Sequence, residues 1–417
     1  MTLIPVARHR EKVLGSVQPL PAGTVPLAAA HGLRLAADVR SRLSVPPWDN
    51  SAMDGYAVRY EDIAAAGQEP VTLDVVADLP AGSALDPPLQ PGQAARIMTG
   101  AVLPSSADTV VQLEHTDRNE PHGELPGTVT VLKEQQPGGH VRYAGEDLQP
   151  GDLVATGGAV ADATVLAALA ATGHDAVWVH RRARVAVIAT GSELQPPGAE
   201  LARGQIPDSN SLLLSALVRQ AGGEVSAAVT VGDDPDDLRR RLAEVTPEAD
   251  MIVLTGGVSA GAYDPLTRVF ADSADVSFSS VSMQPGKPQA FGRHRQAVLF
   301  GLPGNPVSAW VSFHVFVRPA LIVMHGADPS TVVPNPVPAR AVRGWRTPPV
   351  RDQYLPARIG IDADGQYTVE PAATKGSKSH LVASLGRANG YAIVPGDVDQ
   401  VAGGDVVHVV IDEQGAL

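Results

Sequence analysis

The chain has 417 residues, enough for two to four domains, and its 44% apolar and 18% charged residues describe a globular protein. A net charge of −13 with only 4% aromatics argues against a broad nucleic-acid footprint or stacking platforms for single strands, so an anionic ligand must be held by local donors. Cysteine is absent, which excludes disulfides, thiolate catalysis, and Cys-ligated zinc or iron–sulfur clusters.

In chain order, MTLIPVARHREKVLG lacks the apolar core of a signal peptide, and no run reaches the roughly 18 apolar residues of a membrane span; a soluble, cytoplasmic protein is expected. The first forty residues read as helical, with Ala-rich patterning around PLAAAHGLRLAADVR. Residues 70–150, rich in Val, Thr, Gly and Pro, carry short apolar runs (VTLDVVA, TVVQLEH, TVTVLKE) and read as a small β domain. ADATVLAALAAT reads as a helix whose natural partner is the N-terminal helical segment, which makes the β domain an insertion. Between 184 and 318, strands (RVAVIAT, EVSAAVTV, MIVLT, AVLFGL) alternate with helices, the pattern of βαβ units and a doubly wound, mostly parallel sheet. A Pro-rich linker near 330 precedes β-like runs (YLPARIGI, YAIVP, DVVHVVI) of a last β domain.

Ligands bind such sheets beyond the C-terminal ends of the strands. Four strand-end loops there share Gly, small polar and acidic residues: Thr190-Gly191-Ser192-Glu193, Gly232-Asp233-Asp234, Gly256 to Asp264, and Gly301-Leu302-Pro303-Gly304-Asn305-Pro306. Gly256, Gly257 and Ser259 let a ligand approach the backbone, and exposed N–H groups suit phosphate. The acids have two readings. Asp264 before Pro265 and Asp234 before Pro235 each fit a helix N-cap. Glu193, Asp233 and Asp264 also fit Mg²⁺ bridging phosphates. Prolines on both sides of Gly304-Asn305 stiffen a turn that presents N–H groups and an amide. Gln284-Pro285-Gly286-Lys287-Pro288 is a second stiff turn, with Lys287 either a phosphate partner or a solvated surface cation. Asp54-Gly55 in SAMDGYA, and Arg142, Glu146 and Asp147 in HVRYAGEDLQPGD, read equally well as turns. HExxH, Walker A and GxGxxG patterns are absent.

PPWDNSAMDGYAV, RIMTGAVLPSSADTVV, GEDLQPGD, ATGSEL, DSN, TGGVSAGAYD, QPGKP, GLPGNPVSA and KGSKSHLVASLGRANGYAIVP together resemble the MoeA family of molybdopterin molybdenumtransferases, also represented by the gephyrin E domain. The resemblance covers nearly the whole chain and implies four regions. These are a helical linker domain (1–43 and 148–180), an inserted β domain (44–147), an α/β molybdopterin-binding domain (181–328) and a C-terminal β-barrel-like domain (329–417). It implies a homodimer whose active site joins the α/β rim of one subunit to the inserted domain of the other. The implied reaction turns adenylylated molybdopterin and molybdate into molybdenum cofactor and AMP, with Mg²⁺. The preceding adenylyltransferase and recipient molybdoenzymes are expected partners; nucleic acid and membrane are not.

Matched by motif, the implied functional positions are Asp54, Thr99, Asp147, Glu193, Asp233, Asp264, Pro303, Pro306, Arg351 and Ser377. Asp54, Asp147, Glu193 and Asp264 are the catalytic candidates. Glu193, Asp233 and Asp264 are the metal candidates. Thr99, Gly256, Gly257, Ser259, Lys287, Pro303, Gly304, Asn305, Pro306, Arg351 and Ser377 are the substrate-binding candidates. Some members carry Lys immediately before PGKP and again four residues earlier; here those positions are Gln284 and Ser280, so the oxyanion contacts differ. Two rival readings are a molybdopterin adenylyltransferase-type activity and a non-catalytic molybdopterin-binding or scaffold protein. The SAMDGYA segment and the C-terminal domain weigh against the first, the several rim acids against the second.

Overall fold

Period-two alternation along the strands of residues 184–302 sets the central layer. Val185 and Val187 enter one apolar cluster, and Ala186 and Ile188 the other. Met251 and Val253 against Ile252 and Leu254 repeat the division. The computed structural model describes residues 3–120, 123–258, 264–373 and 378–412; of the candidate residues, Ser259 and Ser377 lie outside it. The central sheet has six strands in the spatial order Glu224–Val231, Arg184–Thr190, Met251–Thr255, Ala297–Leu302, Pro288–His294, Val276–Ser280. The first four are parallel; the last two form an antiparallel hairpin, which is the minority part of the mostly parallel sheet. Helix Asn210–Gln220 and the helix Pro306–Met324 cover one face, Pro235–Val245 and Pro265–Val269 the other.

Pro306–Met324 is long and apolar enough to cross a membrane, at 19 residues and a mean hydropathy of 1.6, but 89% of that window is buried inside the protein. It is the core helix of the central domain, with a π turn at Phe313–Val317.

The helix expected over the first forty residues is confined to Val6–Leu14 and a single turn at Leu27–Ala30. Between them Ala22–Pro26 is a strand paired with Ala176–His180, and Val39–Arg40 pairs with Leu153–Ala155. Pro19, Pro21 and Pro26 break a helix there, and the strand itself, AGTVP, holds a single alanine beside Gly, Thr, Val and Pro, which do not favour helix. The expected packing holds for the Ala-rich part of the segment: Leu169 of Ala163–Ala171 packs with Ala30, Leu35, Val177 and Val179. Helix Val6–Leu14 lies elsewhere, with Val6 and Val13 in the core-helix cluster beside Phe316 and Leu321.

Residues 44–147 hold a five-stranded sheet in the order Thr109–Gln112, Gly55–Val58, Gln93–Ile97, Val71–Leu79, Thr128–Val131. In the C-terminal region Asp352–Ile361 pairs with both Tyr367–Pro371 and Gly390–Val394, which closes a barrel through Val337–Ala341 and Val406–Ile411. Met283–Gln284 adds to this barrel beside Asp352–Gln353 and ties it to the central domain.

Candidate functional site

The four parallel strands end side by side, so the loops after Val231, Thr190, Thr255 and Leu302 form one continuous rim. Side chains stitch neighbouring loops together. The Ser192 N–H donates to Asp233 Oδ2 and the Asp233 N–H to Ser192 Oγ, each at 3.1 Å. Asn210, buried at the start of its helix, donates from Nδ2 to Thr255 Oγ1 (2.9 Å) and to the Gly304 carbonyl (2.7 Å). The Thr255 hydroxyl donates on to the Pro303 carbonyl at 3.2 Å. In the sequence Asn210 stands out only as the end of DSN, and Ser192 and Thr255 carry no signal of their own, because their parts depend on partners 41 to 94 residues away.

The Gly256-Gly257 turn is one that side chains would block. Both have positive φ (88° and 72°), and a Cβ on Gly256 would lie 2.6 Å from the carbonyl and hydroxyl oxygens of Thr190. A Cβ on Gly257 would lie 2.9 Å from Asp264 Oδ1. Among the described residues, the N–H groups of Gly257, Gly304 and Asn305 have no hydrogen-bond partner. Three backbone donors therefore stand at adjacent strand ends, groups of the kind that receive anions.

The two Asp-Pro sequences part company here. Asp234 is a working cap: its carboxylate accepts from the Asp236 N–H at 2.9 Å. Asp264 occupies the same position before Pro265–Val269, yet its side chain makes no capping hydrogen bond and is buried against Gly257. Asn305 likewise precedes its helix without a side-chain cap bond, and is exposed beside Pro303 and Pro306.

The second stiff turn is pinned from below. Gln289 is buried and donates from Nε2 to the Gly286 carbonyl and to Ser312 Oγ, both at 2.7 Å. Lys287 is exposed at its tip. Arg351 directly precedes the barrel strand that pairs with Met283–Gln284, so the fold brings it to the edge of this turn.

The N-terminal candidates gather elsewhere in the chain. Asp54 Oδ1 accepts the N–H and the hydroxyl of Thr99, each at 2.7 Å. Gly55 follows at a point where a Cβ would lie 2.0 Å from the Val111 carbonyl, which holds the strand close behind Asp54. Burial pushes the adjacent Tyr56 hydroxyl up, so it stays protonated. Asp147 is exposed, with its N–H on the Val45 carbonyl at 2.9 Å. Among the described residues, the two apolar clusters of this region contain no residue of the central domain. Glu193 is exposed with its carboxyl folded toward Gly191. Among the described residues, no three His, Asp or Glu side chains form a group able to hold a metal ion, so Glu193, Asp233 and Asp264 are spread along the rim instead of forming a ready cage.

Comparison with known proteins fits this arrangement. Family profiles match in three blocks: MoeA N-terminal region (domain I and II) at residues 4–173, probable molybdopterin binding domain at 186–322, and MoeA C-terminal region (domain IV) at 338–411. Molybdopterin molybdenumtransferase 2 of Mycobacterium tuberculosis is 41% identical, covering 97% of this chain and 98% of the relative. The molybdopterin molybdenumtransferase of a Nostoc species is 38% identical, covering 92% and 87%. Two solved structures of molybdopterin biosynthesis MoeA protein from Pyrococcus horikoshii superpose with TM-scores of 0.80 at 30% and 27% identity, covering 99% and 98% of this chain and 100% of each of theirs. A whole-length match of this kind, over a rim of this design, makes the chain a member of the MoeA family of molybdopterin molybdenumtransferases, enzymes of molybdenum cofactor biosynthesis.

Proposed function

We propose that this enzyme exchanges the AMP of adenylylated molybdopterin for molybdenum delivered as molybdate, releasing AMP. The observation that carries this reading is the set of open N–H groups at Gly257, Gly304 and Asn305, flanked by the uncapping carboxylate of Asp264. The donors suit the pyrophosphate of the substrate, and a carboxylate beside them suits a cation that travels with phosphate. Mg²⁺ is usually bound by one or two carboxylates together with substrate phosphates and water, so the spread of Glu193, Asp233 and Asp264 fits it without a preformed cage. Bound there, Mg²⁺ would supply charge neutralisation on the departing phosphate. Lys287 and Arg351, at one turn, would hold the oxyanion of molybdate, with Ser377 as a further donor. Gln284 and Ser280 in place of cations leave Lys287 and Arg351 as the main positive charges of that subsite.

The reading extends to a second copy of the chain. Asp54, Thr99 and Asp147 sit on a domain whose apolar clusters are its own, and a homodimer would bring them over the rim of the partner. Asp54 would then orient a donor or relay a proton as oxide leaves molybdate as water.

The deciding experiment is AMP release by purified protein given adenylylated molybdopterin, molybdate and Mg²⁺, with cofactor scored by reactivating an apo-molybdoenzyme. Molybdate-dependent AMP release with reactivation is expected. Tight substrate binding with no AMP release would make the protein a carrier and end this reading.

A further inference from the structure

The linker, the core helix and the C-terminal barrel meet around a cavity of about 320 Å³. None of its lining residues belongs to the strand-end rim. Arg34 comes from the linker, His314, Arg318 and Ile322 from the helix Pro306–Met324, and Tyr391 and Asp412 from the barrel region. Arg34 uses Nη1 on the Gly158 carbonyl at 2.7 Å, which leaves its other donors for a ligand. Arg318, half-buried, makes no ion pair or side-chain hydrogen bond among the described residues. His314 is buried against Trp310, with ring centroids 4.3 Å apart, and its Nε2 has no hydrogen-bond partner. Burial outweighs the attraction of Asp412 and lowers the His314 pKa to about 4, so near neutral pH two guanidiniums face one carboxylate.

Two guanidiniums lining one partly buried cavity oppose each other. Arg34 is held below the usual arginine value, first by burial and then by the charge of Arg318. An oxyanion would relieve that repulsion and satisfy several donors together, because the guanidinium fork matches the geometry of carboxylate and phosphate. Ile322 and the Tyr391 ring leave room for a compact apolar body beside the charged head. Asp412 sets an upper bound on charge and disfavours a polyphosphate.

We propose that this junction binds a small organic oxyanion, a carboxylate or a phosphate monoester with a compact apolar body, held by Arg34, Arg318 and His314. Its walls come from three regions of the chain, so the bound anion ties them together and raises the unfolding temperature.

The test uses the full chain, residues 413–417 included, titrated calorimetrically with phenyl phosphate and with benzoate, and followed by thermal unfolding. Saturable binding of at least one probe is expected, with a raised Tm and an affinity at least about tenfold weaker in Arg318→Met. The probe that binds more tightly separates phosphate from carboxylate. Arg318→Lys, which keeps the charge but not the fork, is expected to fall between. Molybdenum transfer is retained in both variants. The proposal is overturned if neither probe binds below about 10 mM, or if Arg318→Met binds as tightly as the parent. It is equally overturned if binding survives in Arg318→Met and is lost in Gly257→Ala, which would assign the anion to the rim.

Discussion

Thr99 gives both its backbone N–H and its hydroxyl to a single oxygen of Asp54, each bond 2.7 Å long. One residue thus fixes the orientation of the carboxylate from two directions, and hydrogen bonds to a charged group are worth about 1.5–3 kcal/mol each. Thr99→Ser is expected to stay near parental activity, and Thr99→Val to lose about tenfold in the rate of AMP release. Asp54→Asn should lose on the order of 100-fold with an unchanged Tm, the signature of a group used in the reaction. An Asp54→Asn protein at full activity would remove this carboxylate from the mechanism.

The proposed sharing of the site between two copies of the chain makes a quantitative prediction for mixed variants. Asp54→Ala and Asp264→Ala proteins, each inactive alone, are dissociated, mixed in equal amounts and reassociated. If Asp54 serves the partner's rim, half of the dimers are mixed and each has one intact site, which restores about a quarter of parental activity. If both residues serve one chain's own site, mixing restores nothing.

The two Asp-Pro helix starts should separate stability from activity. Asp234 caps its helix through the Asp236 N–H, so Asp234→Ala is expected to cost about 1 kcal/mol of stability and leave catalysis intact. Asp264 makes no such capping bond, so Asp264→Ala should abolish transfer without the loss of a helix cap. Equilibrium unfolding and AMP release, measured on both variants, check this; a large stability loss in Asp264→Ala would return that residue to a structural role.

Gly257→Ala places a methyl group 2.9 Å from Asp264 Oδ1 on a backbone with φ of 72°. The strain should cost about 1 kcal/mol or more. The larger effect should be on function, because the shift moves both the open N–H and the carboxylate beside it. Substrate affinity, read by calorimetry, is the measurement; parental affinity would show that the turn does not touch the ligand.

Three buried histidines make the fold acid-sensitive. His9, His314 and His325 each have a pKa lowered to about 4, with burial the leading cause. Between that value and the unfolded pKa near 6.5 the unfolded chain binds more protons, so stability is full above about 6.5 and falls as the pH drops toward 4. Each histidine adds a slope of up to about 1.4 kcal/mol per pH unit. Urea midpoints at pH 7.5 and 5.0 should show the loss. His9→Leu should flatten it, because His9 packs edge-on against Phe316 at 4.8 Å and an apolar side chain suits that place.

Periodicity and punctuation in the sequence determined the alternating unit of 184–318, the strand-end position of its glycine loops, and the β character of 70–150 and of the tail. These signals are local: period-two alternation, Gly and Pro turns, and apolar runs are set by residues a few places apart. Family motifs added the expectation of a joint site. What the sequence could not show depends on distant partners. Ala22–Pro26 is a strand paired with Ala176–His180, a partner that no local signal names. Asp234 and Asp264 are alike in sequence, and only the path of the chain puts one on its own helix and the other against Gly257. Asn210 reads as a helix start, yet its amide spans Thr255 and Gly304, 45 and 94 residues onward. The meeting of Arg34 with Arg318 also belongs to the tertiary structure alone, because hydrophobic burial brings the regions together without regard to the charges carried along.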